Sequence, residues 1–285
     1  MSTTEVLVRQ KAQAAHDAAV RMGTLRSGQK NKALLAMAAA LLSHCDEILE
    51  ANEKDMLNAQ TNGMRESMQD RLRLTPARIE SMAEGLRQVA QLKDPIGEVI
   101  GGSTLANGLS LTKVRVPIGV VGIIYEARPN VTSDALGLCL KSGNTVVLKG
   151  GSEALHSNQA IASILSEAAQ KEGVPQGAIQ FIDVTDRQAV TDLIRMNGLV
   201  DVVIPRGSAR LIQAVVQNAT VPVIETGAGV CHTFVDESAD CDMARRIAFN
   251  AKVQSPSVCN ALENLLVHEN VADAFLPKML RYYFI

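Results

Sequence analysis

Over the first 95 residues apolar positions recur at helical spacing, most clearly in NKALLAMAAALLSHCDEILEAN (31–52), where good helix formers dominate. Thr75-Pro76 supplies an N-cap followed by proline at the first helical position, which predicts a helix running to about Leu92 before Asp94-Pro95 stops it. At residue 96 the period changes. GEVIGGSTLANGLSLTKVRVP (97–117) reads as two strands around Asn107-Gly108, a strong hairpin signal, so a hairpin arm is expected at 96–116.

Past Pro117 strands and helices alternate. Strands are expected at 119–125, 145–149, 178–182, 200–204 and 221–224, with helices near 132–141, 153–172, 186–197 and 207–218. The strands are near-continuous apolar runs, as when helices cover both faces of a sheet. Such alternation implies an α/β fold with a doubly wound parallel sheet and right-handed crossovers. From residue 231 the texture changes again: a strand in HTFVD (232–236), a helix in DMARRIAFNAK (242–252), then QSPSVCNALENLLVH (254–268).

Composition narrows the field. Apolar residues are 47% and charged residues 20%, ordinary for a packed chain long enough for one large domain or two. A net charge of −2 and a pI near 6.2, without a polybasic run, give no footprint for nucleic acid or anionic lipid. No apolar run approaches a membrane span, and the N-terminus carries no secretion signal, so a cytoplasmic protein is expected. Five cysteines without a CxxC pair argue against a disulfide framework and a structural zinc site. Cys45, Cys139, Cys231 and Cys241 read as small buried apolar residues.

Open parallel sheets bind ligands beyond the carboxyl ends of their strands, so the turns YEARPN (125–130), KGGSE (149–153) and PRGS (205–208) hold the candidate chemistry. In Lys149-Gly150-Gly151-Ser152 two glycines let the backbone approach a ligand at a helix start, beside a cation. Arg206-Gly207-Ser208 repeats the arrangement after another strand of the same sheet, and two such turns favour a dinucleotide. Neither is a GxGxxG fingerprint, which counts against a simple short-chain or lactate-type dehydrogenase. Cys259, between Pro256 and an apolar run, reads either as a thiolate nucleophile activated by nearby backbone N–H groups or as a structural cysteine.

LTPARI, DPIG, YEARPNVTSD, IPRG, PVIETGAGVCH, VDES and NAKVQSPSVCNALE occur in this order, and the chain from about residue 10 to about 278 resembles the gamma-glutamyl phosphate reductases (glutamate-5-semialdehyde dehydrogenases) of the aldehyde dehydrogenase superfamily. The resemblance implies a cofactor domain of that type at 1–230, carrying N-terminal helices and the hairpin arm, and the first portion of an α/β catalytic domain at 231–285. It implies NADP(H) as cofactor and gamma-glutamyl phosphate as substrate, reduced to the semialdehyde with release of phosphate. Cys259 is then the nucleophile, and Asn130 the oxyanion-binding amide, with the Cys259 N–H as second donor. Related aldehyde oxidisers carry a glutamate base where Glu225 stands. Reduction of an acyl phosphate requires no activated water, so Glu225 is expected to line the nicotinamide pocket.

The resemblance further implies a homo-oligomer and functional coupling to glutamate 5-kinase. Two departures stand out. Gln254-Ser255-Pro256 replaces the usual Gln-Arg-Pro, and family members continue for roughly another third of their length past Ile285. The chain as written is therefore expected to fold its cofactor sheet but to turn over little. An aldehyde dehydrogenase for another small aldehyde, and a nucleotide-binding protein without turnover, remain the alternatives.

Overall fold

The computed structural model describes residues 2–225, 227, 229–256 and 258–283, which fall into two compact units, Met1–Thr226 and Gly227–Ile285. The helical spacing at the start becomes α1 (Thr3–Gly23), α2 (Ser27–Ser43), α3 (Cys45–Thr61), α4 (Glu66–Leu72) and α5 (Pro76–Gln91). Thr75 caps α5 as expected, its side chain accepting from the Arg78 N–H with Pro76 in the first turn. The hairpin follows as β1 (Val99–Thr104) and β2 (Ser110–Val114), antiparallel and exposed at every position.

The sheet begins with β3 (Val120–Tyr125). After it come α6 (Asn130–Lys141), β4 (Thr145–Lys149), α7 (Leu155–Lys171), β5 (Ile179–Phe181), α8 (Gln188–Leu193), β6 (Val202–Arg206) and α9 (Ala209–Asn218). A short 3₁₀ turn, Ser152–Ala154, leads into α7. The strand order is β5-β4-β3-β6, all parallel.

Period-two alternation sorts the fully buried β3 onto two cores. Val121, Ile123 and Tyr125 join the cluster formed with α2, α5, α6 and α7. Val120 and Ile124 join the one formed with α1, α8 and α9. Apolar side chains on both faces explain why the strand reads as an unbroken apolar run.

Two expectations need correction. The strand expected at 221–224 is a single bridge, Val203 to Val223, made by the Val203 N–H to the Pro222 carbonyl at 2.8 Å and the Ile224 N–H to the Val203 carbonyl at 2.9 Å. The next rung on either side would need an N–H from Pro222 or from Pro205, and proline has none. The helix expected at 186–197 ends at Leu193. Just beyond it, the Ile194 carbonyl accepts the Thr220 and Val221 N–H groups at 3.0 and 3.2 Å instead of continuing the helix.

The second unit holds β7 (Cys231–Val235), α10 (Cys241–Val253), β8 (Leu262–Val267) and α11 (Glu269–Tyr283), with β7 and β8 parallel. Its core is small: Val235, Ala248, Leu262, Phe275 and Met279. Phe234 and Leu266, partners across the two strands, are 59% and 50% exposed.

At the foot of the hairpin the Lys30 ammonium meets Asp94 at 2.6 Å, with side chains 1% and 11% exposed. Asp94 also accepts from Ser27 Oγ at 2.7 Å and from the Ile96 N–H at 3.0 Å. Burial alone would raise the Asp94 carboxyl, but Lys30, Ser27 and Ile96 together hold it below the usual range. Its stabilisation is thus present above the ordinary carboxylate value and lost as pH falls through the lowered one. Asp94→Asn strands the Lys30 charge, and a loss of about 3 kcal/mol is expected in urea unfolding. An unchanged midpoint would show that the pair is incidental.

Candidate functional site

The chain winds from β3 outward to β4 and β5, then returns to place β6 on the other flank of β3. The turns after β3 and β6 therefore open a crevice at the point where the order reverses, the place where open α/β sheets bind ligands. Tyr125 and Arg206 are register partners at its floor. On one side stands Glu126, and on the other the start of α9, where Ser208 is the N-cap.

Glu126 reaches across this crevice. One carboxylate oxygen accepts the Ser208 N–H at 2.9 Å, and the other accepts the Ser208 hydroxyl at 2.6 Å. Gly207 makes the approach feasible, since a Cβ there would lie 2.7 Å from the Glu126 carboxyl carbon. The Ser208 donors thus hold an anionic group, supplied by the chain itself. Glu126 is half-buried, while Arg206, Gly207 and Ser208 are exposed. The YEARPN motif contains this acid, but nothing in its spacing showed that it would face a helix start three crossovers later.

The turn after β4 is built differently. Lys149 is 4% exposed, and its ammonium donates to the Gly150 carbonyl at 2.7 Å rather than standing clear as a free cation. Burial lowers its pKa, against the opposing pull of Glu153 and Asp186. Asp55, on α3 and 1% exposed, accepts the His156 and Ser157 N–H groups at 3.1 and 2.8 Å and the Ser157 hydroxyl at 2.6 Å. The first donors of α7 are thereby sealed by a buried carboxylate. Asn52 joins the same cluster, donating to Ser157 Oγ and to the Leu72 carbonyl while accepting the Leu74 N–H. The N-terminal helices therefore do more than pack: α3 supplies the acid and the amide at the start of α7. Of the remaining turn residues, Gly150 is buried, Gly151 half-buried and Ser152 exposed.

Beneath the glycines lies a buried polar chain. The Tyr125 hydroxyl lies 2.7 Å from Thr132 Oγ1, which donates to Asn158 Oδ1 at 3.0 Å. It ties β3, the first turn of α6 and α7 together. Burial pushes the Tyr125 phenol far up, so it stays neutral. The Asn158 amide nitrogen has no hydrogen-bond partner and lies against Gly150, where a Cβ would come within 2.3 Å of it.

Asn130 opens α6 and is exposed, its amide donating to Asp134 at 3.2 Å. Glu225 is exposed beyond the Val203–Val223 bridge. Cys259 belongs to the second unit and is the exposed cysteine among the five free thiols. It sits in the turn leading into β8 rather than at a helix start, with its carbonyl 3.6 Å from Cys231 Sγ. Cys139 is the opposite case: burial raises its thiol to about 12. Cys45, Cys231 and Cys241 are partly exposed, not buried as expected. Among the described residues no cluster of three or more His, Cys, Asp or Glu could hold a metal, and no helix is long and apolar enough to cross a membrane.

A model of the aldehyde dehydrogenase family matches residues 1–283. The chain is 56% identical over 271 residues to the gamma-glutamyl phosphate reductase of Caldanaerobacter subterraneus subsp. tengcongensis, covering 95% of this chain and 66% of that protein. It is 57% identical over 272 residues to the gamma-glutamyl phosphate reductase of Moorella thermoacetica, covering 95% and 65%. The crystal structure of gamma-glutamyl phosphate reductase from Thermotoga maritima is 47% identical with a TM-score of 0.87, covering 96% of this chain and 66% of that one. The chain spans about two thirds of the length of the curated relatives it matches.

Asp134 gives the site a pH signature. Although Asp134 is exposed, partial desolvation by its neighbours raises its carboxyl above the usual value, opposed by the bond from Asn130. A carboxyl raised by folding stabilises the native state below the unfolded pKa, and that contribution is lost as pH rises through the folded one. Asp134→Asn should therefore melt higher than the parent near neutral pH, and the gap should shrink toward about pH 4. Melting curves across that range test it, and a gap independent of pH would sink the assignment.

Proposed function

The chain belongs to the aldehyde dehydrogenase family, and on that premise we propose that it carries the nucleophile and cofactor-binding part of an NADPH-dependent gamma-glutamyl phosphate reductase. The observation that carries this reading is the 56% identity, along 95% of the chain, to a protein of that name. The crevice between β3 and β6 supports the cofactor. Its donors already accommodate an anion, and the Glu126 oxygens stand in for phosphate oxygens there. Arg206, Gly207 and Ser208 would hold a phosphate of NADP(H). Lys149, Gly150, Gly151 and Ser152 would line the neighbouring turn, and Glu225 the nicotinamide pocket.

Cys259 attacks the acyl carbon of gamma-glutamyl phosphate. Its sulfur–carbon bond forms as the bond from carbon to the phosphate oxygen breaks, and inorganic phosphate leaves. When bound, NADPH supplies the hydride that reduces the resulting thioester. The Cys259 sulfur then departs as the semialdehyde carbonyl re-forms. Both steps place negative charge on one oxygen, for which the Asn130 amide and the Cys259 N–H are the donors that the family resemblance implies. Loss of one such donor typically costs about 10²–10³ in rate. The substrate being a small anionic metabolite, a cytoplasmic homo-oligomer coupled to glutamate 5-kinase, the source of the acyl phosphate, fits this reading.

In the reverse direction, oxidation of glutamate-5-semialdehyde by NADP⁺ should require inorganic phosphate. Turnover without phosphate would instead favour an aldehyde dehydrogenase for another substrate. In a form long enough to be active, Cys259→Ser should abolish turnover with the fold intact, because a hydroxyl is far less nucleophilic than a thiolate at neutral pH. More than a few per cent of the parent rate would remove Cys259 from its role. Lys149→Ala and Arg206→Ala should each weaken NADPH binding, with Arg206→Ala losing less in high salt, where the exposed charge is screened. Calorimetry showing unchanged affinity in both variants would sink the cofactor assignment.

A further inference from the structure

The two helix starts beside the crevice are both occupied by carboxylates, but the occupants differ in kind. Asp55 at α7 is 1% exposed and takes two backbone donors and a hydroxyl. Withdrawing it would strand a buried charge and uncap a helix together, so it is a permanent fixture. Glu126 at α9 is half-buried, lies in the turn after β3, and holds one backbone N–H and one exposed hydroxyl. Water can replace both partners once the side chain swings out. The α9 start therefore has an exchangeable anion, whereas the α7 start does not.

We propose that Glu126 is an internal competitor for the phosphate-binding donors of α9, so that NADPH binds only as the carboxylate is displaced. The inference rests on the cofactor reading above. In the closed form the carboxylate fills the space over Gly207 and takes both Ser208 donors. A phosphate brought to the same place would meet a like charge and engaged donors. Apparent affinity is then reduced by the fraction of molecules in the open form, about tenfold if the contact is closed about nine times in ten. The contact also gives α9 a charged cap without the cofactor, so the crevice stays organised when empty. By the same geometry the phosphate-bearing part of the ligand goes to α9 and not to α7.

Titration of NADPH into the parent, Glu126→Gln and Ser208→Ala separates the outcomes. Removing the charge while keeping the side-chain length should tighten NADPH binding by about three- to tenfold, and Ser208→Ala should weaken it. Equal or weaker binding by Glu126→Gln, with the parent binding normally, would overturn the competitor and leave the cofactor reading standing. Binding absent from every form would overturn both. A second measurement covers the case in which Glu126→Gln does not fold. In the parent, labelled with ¹³C-carboxyl glutamate and assigned through Glu126→Asp, the Glu126 carboxyl resonance should shift on saturation with NADPH as it exchanges Ser208 for water. A resonance unmoved at saturation would equally sink the proposal.

Discussion

A parallel sheet directs the positive ends of its following helices to one edge, and the local architecture of this crevice follows from the need to balance them. Three helices, α6, α7 and α9, begin just beyond the strands they follow. Each has first-turn N–H groups that the helix itself cannot satisfy. At α7 the answer is a carboxylate brought from the N-terminal helices, which is why α3, remote in sequence, is fastened to the start of α7 through Asp55 and Asn52. At α9 the answer comes from the adjacent strand's turn, through Glu126. The first fastening is buried and organises the fold. The second is accessible and leaves the crevice usable.

How much of this was legible in the sequence depends on the range of the interaction. The strand at 145–149 and the cap at Thr75 are local, carried by an apolar run and by a Thr-Pro pair, and both lie where their residues put them. The family-level fold, with its parallel sheet and helices, could be read from the motifs alone. The missing fifth strand was also recoverable in principle: Pro205 and Pro222 stand in plain view, but their effect depends on which residues face each other across the ladder. Asp55, Glu126 and Asn158 were not legible, because each acquires its role from a partner 26 to 102 residues away. Lys149 was read as an outward cation because spacing cannot distinguish a side chain that points to ligand from one that folds back onto Gly150.

The two units differ in how completely they bury their apolar surface. In the first, β3 is covered on both faces by separate clusters, the condition for a parallel sheet to be stable in water. Among its described residues, the second gathers a small cluster around Val235, Leu262 and Phe275 while Phe234 and Leu266 stay largely in solvent. By area alone the first unit has far more hydrophobic stabilisation to draw on, so the second is expected to open first under denaturant.

The close fit of Gly207 under Glu126 has a meaning beyond binding. A methyl group at 207 would collide with the carboxyl carbon, and shortening residue 126 would remove the collision along with the cap. The constraint runs one way: position 126 can change without disturbing the glycine, whereas a side chain at 207 would push the Glu126 carboxylate off Ser208. A lineage that lost the carboxylate first would leave position 207 open to a side chain, and its record would show the two changes in that order.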